Sequence, residues 1–431
     1  MHVSSRRTLF LGLFLLLSGS AGAADSASTW KTGVTAGART AYDDNVFLQD
    51  RHAMSVNPNG VPAEAGSLVY SASLALVATW QPSNALAIDA GYSPELIRYQ
   101  RFDSENHDDH RFNAGLRGQN NAWSYAATGN LLLVDGSSEA PVFGQTGGAP
   151  AMGGEQVRSR RDQMTTKGGA NLTYALCPEA FVRAAGDAIF QDFQTTHKPT
   201  KGVGSTPGYA NYVDRSEWSA GVDAGWFVRK DLALVAGVRF GEQRQANLLG
   251  IKDNYSNDLA RFLVGVEGKV RPSLSLKFSG GPDVRRYTDS AAAGFDRTRT
   301  THYAEGSATW TPSSSDALAL SMKDYLWLPG GGCGVYEHIV YDLAWKHTFT
   351  KTWSTSAGFN YQEGKNQAYV APAGYRDDSI YTVSGGACYA FNANTKINMA
   401  VSREWSDSVI ANKPGREYVH WLASAGVKYT F

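Results

Sequence analysis

Apolar residues recur at every second position through most of this chain. Leu68, Tyr70, Ala72, Leu74, Leu76, Ala78 and Trp80 form one such file, and Gln81-Pro82-Ser83-Asn84 turns it into another, Leu86, Ile88, Ala90 and Tyr92. Period two is the mark of a strand with one greasy face and one wetter face. Pro94 predicts a bulge or bend beyond Tyr92. The pattern returns from Trp218 to Val228, and Arg229-Lys230-Asp231 turns it into Leu232 to Phe240. It closes with Val419, Trp421, Ala423, Ala425, Val427, Tyr429 and Phe431 on one face.

The connections alternate too. Short turns fall near Pro82, Asn120, Pro178, Lys230, Pro272, Pro312, Lys351 and Asn394. Longer polar stretches lie between them, at 43–66, 103–110, 136–159, 195–208, 242–257, 289–295, 329–334, 363–376 and 406–416. This rhythm predicts about 18 antiparallel strands, with short turns on one rim and long loops on the other. Sandwich strands run about 5–6 residues, whereas these files run about 10–14, and no fixed-period motif marks a propeller or solenoid. The fold class is therefore all-β: a single transmembrane, antiparallel up-and-down barrel of outer-membrane type. Its first strand, Trp30 to Tyr42, is expected to pair with its last. Aromatics such as Trp80, Trp226, Trp345, Trp353 and Tyr389 crowd the ends of the files, as interfacial girdles do.

Composition adjusts this picture at the N-terminus. Arg6 and Arg7, the apolar run Leu9 to Leu17, and Ala21-Gly22-Ala23 read as a secretory signal. The expected organisation is a signal peptide over 1–23 and a barrel over 24–431. Lys plus Arg and Asp plus Glu both number 40, so no whole-chain charge calls for nucleic acid. Three cysteines are too few for a disulfide framework and are expected to stay unpaired.

The face opposite the apolar files carries the candidate chemistry. It holds Arg117, Arg161, Lys167, Arg183, Arg215, Arg239, Arg261, Lys277, Arg297, Arg299 and Lys346, together with Arg98, Arg111, Lys269, Lys323 and Lys428. Fewer carboxylates share it: Asp89, Glu95, Asp187, Glu217, Asp223, Glu267, Glu305 and Asp342. A surplus of about eight positive charges would favour anions in a water-filled bore. The alternative reading is that arginine–carboxylate pairs simply tie the wall together. Arg161, Arg297 and Arg299 are expected nearest the loop rim, with Arg158 and Arg160 on the opposite face. His107-Asp108-Asp109-His110 is consecutive, so alternation would send its members opposite ways, and loop solvation explains it better than chemistry. No catalytic residue, cofactor site or metal site is assigned, and no enzyme is expected.

Gly33 to Leu48 resembles the opening strand of the beta-barrel porin 2 family, whose members carry a Tyr-Asp-Asp-Asn-aromatic stretch there. Here the matching residues are Tyr42, Asp43, Asp44, Asn45 and Phe47. The terminal Tyr429 and Phe431 resemble the signal that bacterial outer-membrane barrels present to the barrel assembly machinery. The resemblance implies a passive conduit in the outer membrane of a Gram-negative cell. It implies exopolysaccharide or capsule export as the leading role, with periplasmic polysaccharide-export proteins as partners beside outer-membrane lipid. A diffusion porin for small anionic or sugar solutes is the alternative reading, and a barrel lipase or protease ranks third.

Overall fold

The computed structural model describes residues 28–46, 48, 66–136, 160–193, 213–247, 254–288, 291, 293–328, 334–366, 376–410 and 417–431. The signal segment, Phe47, Cys333, Arg158 and most of the long loops lie outside the described residues.

The strands, in chain order, are β1 (Thr29–Asp43), β2 (Ser67–Ser83), β3 (Leu86–Tyr99), β4 (His107–Asn120), β5 (Trp123–Asp135) and β6 (Gln163–Cys177). Then come β7 (Ala180–Asp192), β8 (Arg215–Arg229), β9 (Leu232–Gln245), β10 (Asn257–Arg271), β11 (Leu274–Tyr287) and β12 (Thr298–Trp310). The last are β13 (Asp316–Trp327), β14 (Tyr336–Thr348), β15 (Trp353–Asn366), β16 (Arg376–Ala390), β17 (Thr395–Ile410) and β18 (Tyr418–Thr430). They form one 18-stranded sheet in which every strand pairs antiparallel with its neighbours and β1 pairs with β18. Closure leaves no edge, so every backbone amide in the spanning wall can find a partner without water.

Alternation sets what faces lipid. Leu74, Val222, Leu234, Val264, Phe359 and Met399 are exposed on the outer wall, as a lipid-facing belt requires. Aromatics bound the belt on both sides. At the turn rim Trp30 stacks on Trp80 (5.6 Å between ring centroids), while Trp123 packs at a tilt on Tyr174 (4.6 Å) and Trp353 on Tyr389 (4.7 Å). Nearer the loop rim, Tyr341, Tyr361, Tyr381 and Trp405 sit at paired positions on β14 to β17 and form a ladder. Short turns mark the periplasmic side.

β8 and β9 approach each other closely. A Cβ at inward Gly221 or Gly241 would run into the carbonyls of Val238 and Trp218 on the partner strand, so only glycine permits that approach.

Three expectations fail locally. Pro94 produces no bulge that shifts register: the β3–β4 ladder runs unbroken from Leu86 to Ile97, and the β2 register is the same on either side of Pro94. A proline needs only to forgo one amide bond, and near it the ladder to β2 skips only the adjacent positions; the register shift to β2 lies elsewhere, between Trp80 and Ser83. Arg98 consequently shares the outward face of Leu96 and pairs there with Asp108 (2.6 Å), so it is not a lumen residue. The stretch 103–110 is not all loop, because β4 begins at His107. Strands also run further into the polar stretches than the apolar files do, to Gln245, Asn366 and Ile410.

Cys177 is free and exposed in the β6–β7 turn, and Cys388 is free near the same rim. A bulky maleimide should therefore label Cys177 only after the outer membrane is permeabilised. Equal labelling on intact cells would invert the topology.

Candidate functional site: the lumen

The inward face is built in two halves. From β14 round to β4 the inward positions are mostly small and polar, with Ser71, Ser73, Gly91, Ser356, Ser402 and Ser424 among them. Arg39, Arg111 and Arg117 rise from this half with side chains 44%, 50% and 63% exposed, which means they stand in water. Arg39 and Arg111 share Glu95, and Arg117 holds Asp89 at 2.5 Å.

The other half, β5 to β13, lines a chamber of about 470 Å³. Its wall carries an arginine–carboxylate ladder. Arg183 binds Asp223 through Nε (2.8 Å) and Glu267 through both terminal nitrogens (2.8 and 3.0 Å). Arg239 forks onto the same Asp223 at 2.7 and 2.9 Å. Above them Arg261 reaches Glu217 (3.2 Å) and Asp283 (3.1 Å), while Arg285 grips Asp283 at 2.7 and 3.0 Å and Asn257 at 2.9 Å. Asp283 and Arg285 are fully buried. Lys277 and Lys323 complete the chamber, Lys323 lying over the rings of Tyr303 and Tyr325.

A bridge crosses the interior towards the loop rim. The ladder between β12 and β13 stops at Ala304–Asp324 although both strands continue. The end of β13 leans inward from there. Gln243 donates to the Leu326 carbonyl (3.1 Å), Arg215 donates to the Leu328 carbonyl (2.6 Å), and the Arg215 guanidinium sits 4.2 Å from the Trp327 ring centroid. Leu326 and Leu328 pack with Tyr255, Tyr287 and Val335 in a small apolar core. Beyond the bridge lies a second cavity of about 220 Å³, lined by Tyr325, Trp327, Tyr336, His338, Gln362 and Asp378.

The structure thus places Arg117, Lys167, Arg183, Arg215, Arg239, Arg261, Lys277 and Lys346 on the inward register, as the sequence suggests. It also corrects the charge balance. Asp43, Asp109, Asp283, Asp378 and Glu404 share the inward register, but Lys31, Arg39, Arg285 and Lys396 join it too, so with Arg98 removed the expected surplus falls only slightly. Arg39 and Arg285 are lumen residues that the apolar files did not reveal. Arg161 is 1% exposed and therefore packed rather than lining an open bore. Arg299 lies over Phe295 (5.5 Å) at the rim, and Arg297 is exposed just before β12. Arg160, expected outside, is buried against Glu105 (2.5 Å) and the Tyr99 ring, because alternation holds only within a ladder and β6 begins at Gln163.

What remains uncompensated is mostly lysine, and mostly low in the barrel. Lys31, Lys277, Lys346, Lys396 and Lys428 lie within a few residues of the turn rim on the inward register, with no ion pair among the described residues. Lys396 and Lys428 pair directly across β17 and β18. Like charges placed opposite each other are destabilising, so this collar is not there for the wall's sake.

The Tyr42–Asn45 stretch has a structural part. Asp43 contacts His420 (3.0 Å), Asp44 accepts from the Trp421 amide (2.6 Å), and the Asn45 side chain donates to the Val419 carbonyl (3.1 Å). These bonds fasten β1 to β18 at the loop rim. Asp44→Ala removes an acceptor whose net worth is roughly 1.5–3 kcal/mol. The variant barrel should unfold at lower temperature on heated gels, and an unchanged temperature would deny the seam its role. Tyr429 and Phe431 pack edge to face at 4.9 Å on the turn rim. His107-Asp108-Asp109-His110 divides as alternation demands, with Asp108 on Arg98 and His110 on Tyr92 outside, and His107 and Asp109 inside.

A closed barrel with a lipid belt, two aromatic girdles and a charged, hydrated interior is an outer-membrane β-barrel. No family model matches the chain, and no curated protein matches it. Among solved structures it is similar to the outer membrane protein OpdK from Pseudomonas aeruginosa (10% identity, TM-score 0.43, covering 93% of this chain and 99% of that one). It is similar also to a BenF-like porin from Pseudomonas fluorescens Pf-5 (9% identity, TM-score 0.44, 93% and 98%). A third is OccK2 from P. aeruginosa in complex with glucuronate (11% identity, TM-score 0.41, 93% and 98%).

Proposed function

We propose that the protein is a passive outer-membrane channel through which small anionic solutes diffuse. The observation that carries this reading is the division of the lumen charges. The carboxylates beside the chamber are largely engaged by arginines, while the lysines at the periplasmic mouth make no ion pair among the described residues. Paired charges contribute little net field, whereas unpaired ones in a narrow bore focus it. A solute anion can also exchange guanidinium contacts along the ladder, since arginine offers bidentate donors to any carboxylate. The reading involves no catalysis and no cofactor.

Export of an acidic exopolysaccharide, and membership of the porin 2 family that suggested it, rest on the Tyr42–Phe47 stretch. Asp43, Asp44 and Asn45 of that stretch have a sufficient explanation in the β1–β18 seam, so the small-solute reading is preferred. Liposomes containing the purified barrel should swell faster in a small monocarboxylate than in a neutral sugar of equal size. Equal rates would remove the charge-based part of the proposal.

A further inference from the structure

On the outer surface of the wall, Arg403 stands where a lipid-facing side chain is expected. It shares the outward register of β17 with Ile397, Met399 and Val401, and its partners across the ladders are Val383 on β16 and Trp421 on β18. Met399, Val401, Val383 and Trp421 are all exposed on the lipid face. Trp405, a member of the aromatic ladder near the loop rim, lies one outward position closer to the loops. Arg403 is therefore an exposed cation on the membrane side of that girdle.

No carboxylate among the described residues neutralises it. The guanidinium lies 5.1 Å from the Trp421 ring centroid and 5.8 Å from that of Trp405, and among the described residues it makes no ion pair and no hydrogen bond. Ring faces attract a cation, but they leave its five N–H groups without oxygen acceptors. Other outward cations near the loop rim are matched. Arg98 holds Asp108, Arg244 holds Asp258 and Lys365 holds Glu363, while Arg286 stands opposite Asp258. The acids nearby do not serve Arg403 in the same way. Asp44 takes the Trp421 amide, and Asp407 lies two outward positions further along β17, roughly 13 Å of strand. An arginine on the lipid face is destabilising to a degree that grows with depth. This one calls for an anion from outside the chain.

We infer that Arg403 binds the phosphate of a glycolipid in the outer leaflet, with Trp405 and Trp421 flanking it. The planar guanidinium suits bidentate contact with phosphate oxygens, and its long stem carries the charge up towards the headgroups. Below it Val383, Val401 and Met399 offer an apolar strip for acyl chains. The ligand is thus a phosphate joined to hydrocarbon, which a free anion is not. The long loops face the cell exterior, so the leaflet at this level is the outer one. In a Gram-negative cell its lipid is a phosphorylated glycolipid with several acyl chains.

The test uses the full barrel in detergent, with purified diphosphorylated lipid A as the probe. Native mass spectrometry should resolve a lipid adduct whose affinity falls on the order of tenfold or more in Arg403→Gln, as loss of a charge-assisted contact implies. Arg403→Lys should keep part of that affinity. Arg98→Gln removes an outward arginine already matched by Asp108, and should leave the adduct unchanged. Lipid A should also raise the unfolding temperature of the wild-type barrel on heated gels, by mass action on the folded state, and raise that of Arg403→Gln less. Arg403→Gln breaks no ion pair or hydrogen bond among the described residues, so the variant folds, and unheated gels check this. Equal lipid A affinity in the wild type and Arg403→Gln would overturn the inference. So would a tighter Arg403-dependent adduct with phosphatidylglycerol, which would assign the site to another lipid. Displacement of lipid A by inorganic phosphate at equal concentration would overturn it too, since the anion alone would then be the ligand.

Discussion

Asp283→Ala is expected to abolish assembly of the folded barrel. Asp283 holds Arg285 with two bonds and Arg261 with one, and neither Asp283 nor Arg285 has any exposed surface. Forming such a buried cluster gains little over apolar packing, but breaking it leaves a charge stranded. Loss of one partner costs about 3–5 kcal/mol, and here one carboxylate serves two guanidiniums. Arg261 keeps Glu217 and Arg285 keeps Asn257, which bounds the damage without removing it. The measurement is the fraction of protein that migrates in the folded form on unheated gels. Adding Arg285→Met to Asp283→Ala should restore part of that fraction, since the stranded charge is then gone. A singly substituted barrel as stable as the wild type would show that the cluster does not hold this wall.

The second large effect concerns ion preference. Lys346, Lys396 and Lys428 face inward near the periplasmic mouth and make no ion pair among the described residues. Replacing all three by Glu changes the field of the mouth by six elementary charges, two at each position, without touching the arginine ladder. The permeability ratio of anion to cation should fall on the order of tenfold, the lower end of what charge focusing in a cleft supplies. The fall should be greatest in dilute salt, where the screening length is long. Assembly should be unaffected, because lumen positions tune selectivity rather than stability. Reversal potentials unchanged by this triple substitution would place the selectivity elsewhere.

Much of the wall was legible in the chain because period two and short turns are local. The turn at Lys230 and the file ending at Phe431 needed no tertiary information. The lumen was legible only where an apolar file ran opposite it. Around Gly280-Gly281-Pro282 the outward face of β11 carries no large apolar residue, so the buried Asp283 and Arg285 gave no signal. Arg98 went astray because a proline in a strand suggests a bulge, yet its lost amide bond left the register intact. The inward lean of β13 depends on Arg215, Gln243 and a small core with Tyr255, Tyr287 and Val335, contacts that no local pattern encodes. Pairing was equally hidden. Sequence shows that arginines and carboxylates share a face, but not that Asp223 serves both Arg183 and Arg239 while Lys428 faces another lysine.

The central claim is an open, anion-preferring bore, and a planar bilayer tests it directly. Purified wild-type barrel should insert in discrete conductance steps. Under a potassium chloride gradient at low ionic strength, its reversal potential should have the sign of chloride-selective conduction and move towards zero as salt is raised. A reversal potential of the opposite sign in dilute salt, or insertion without conductance, would contradict the account.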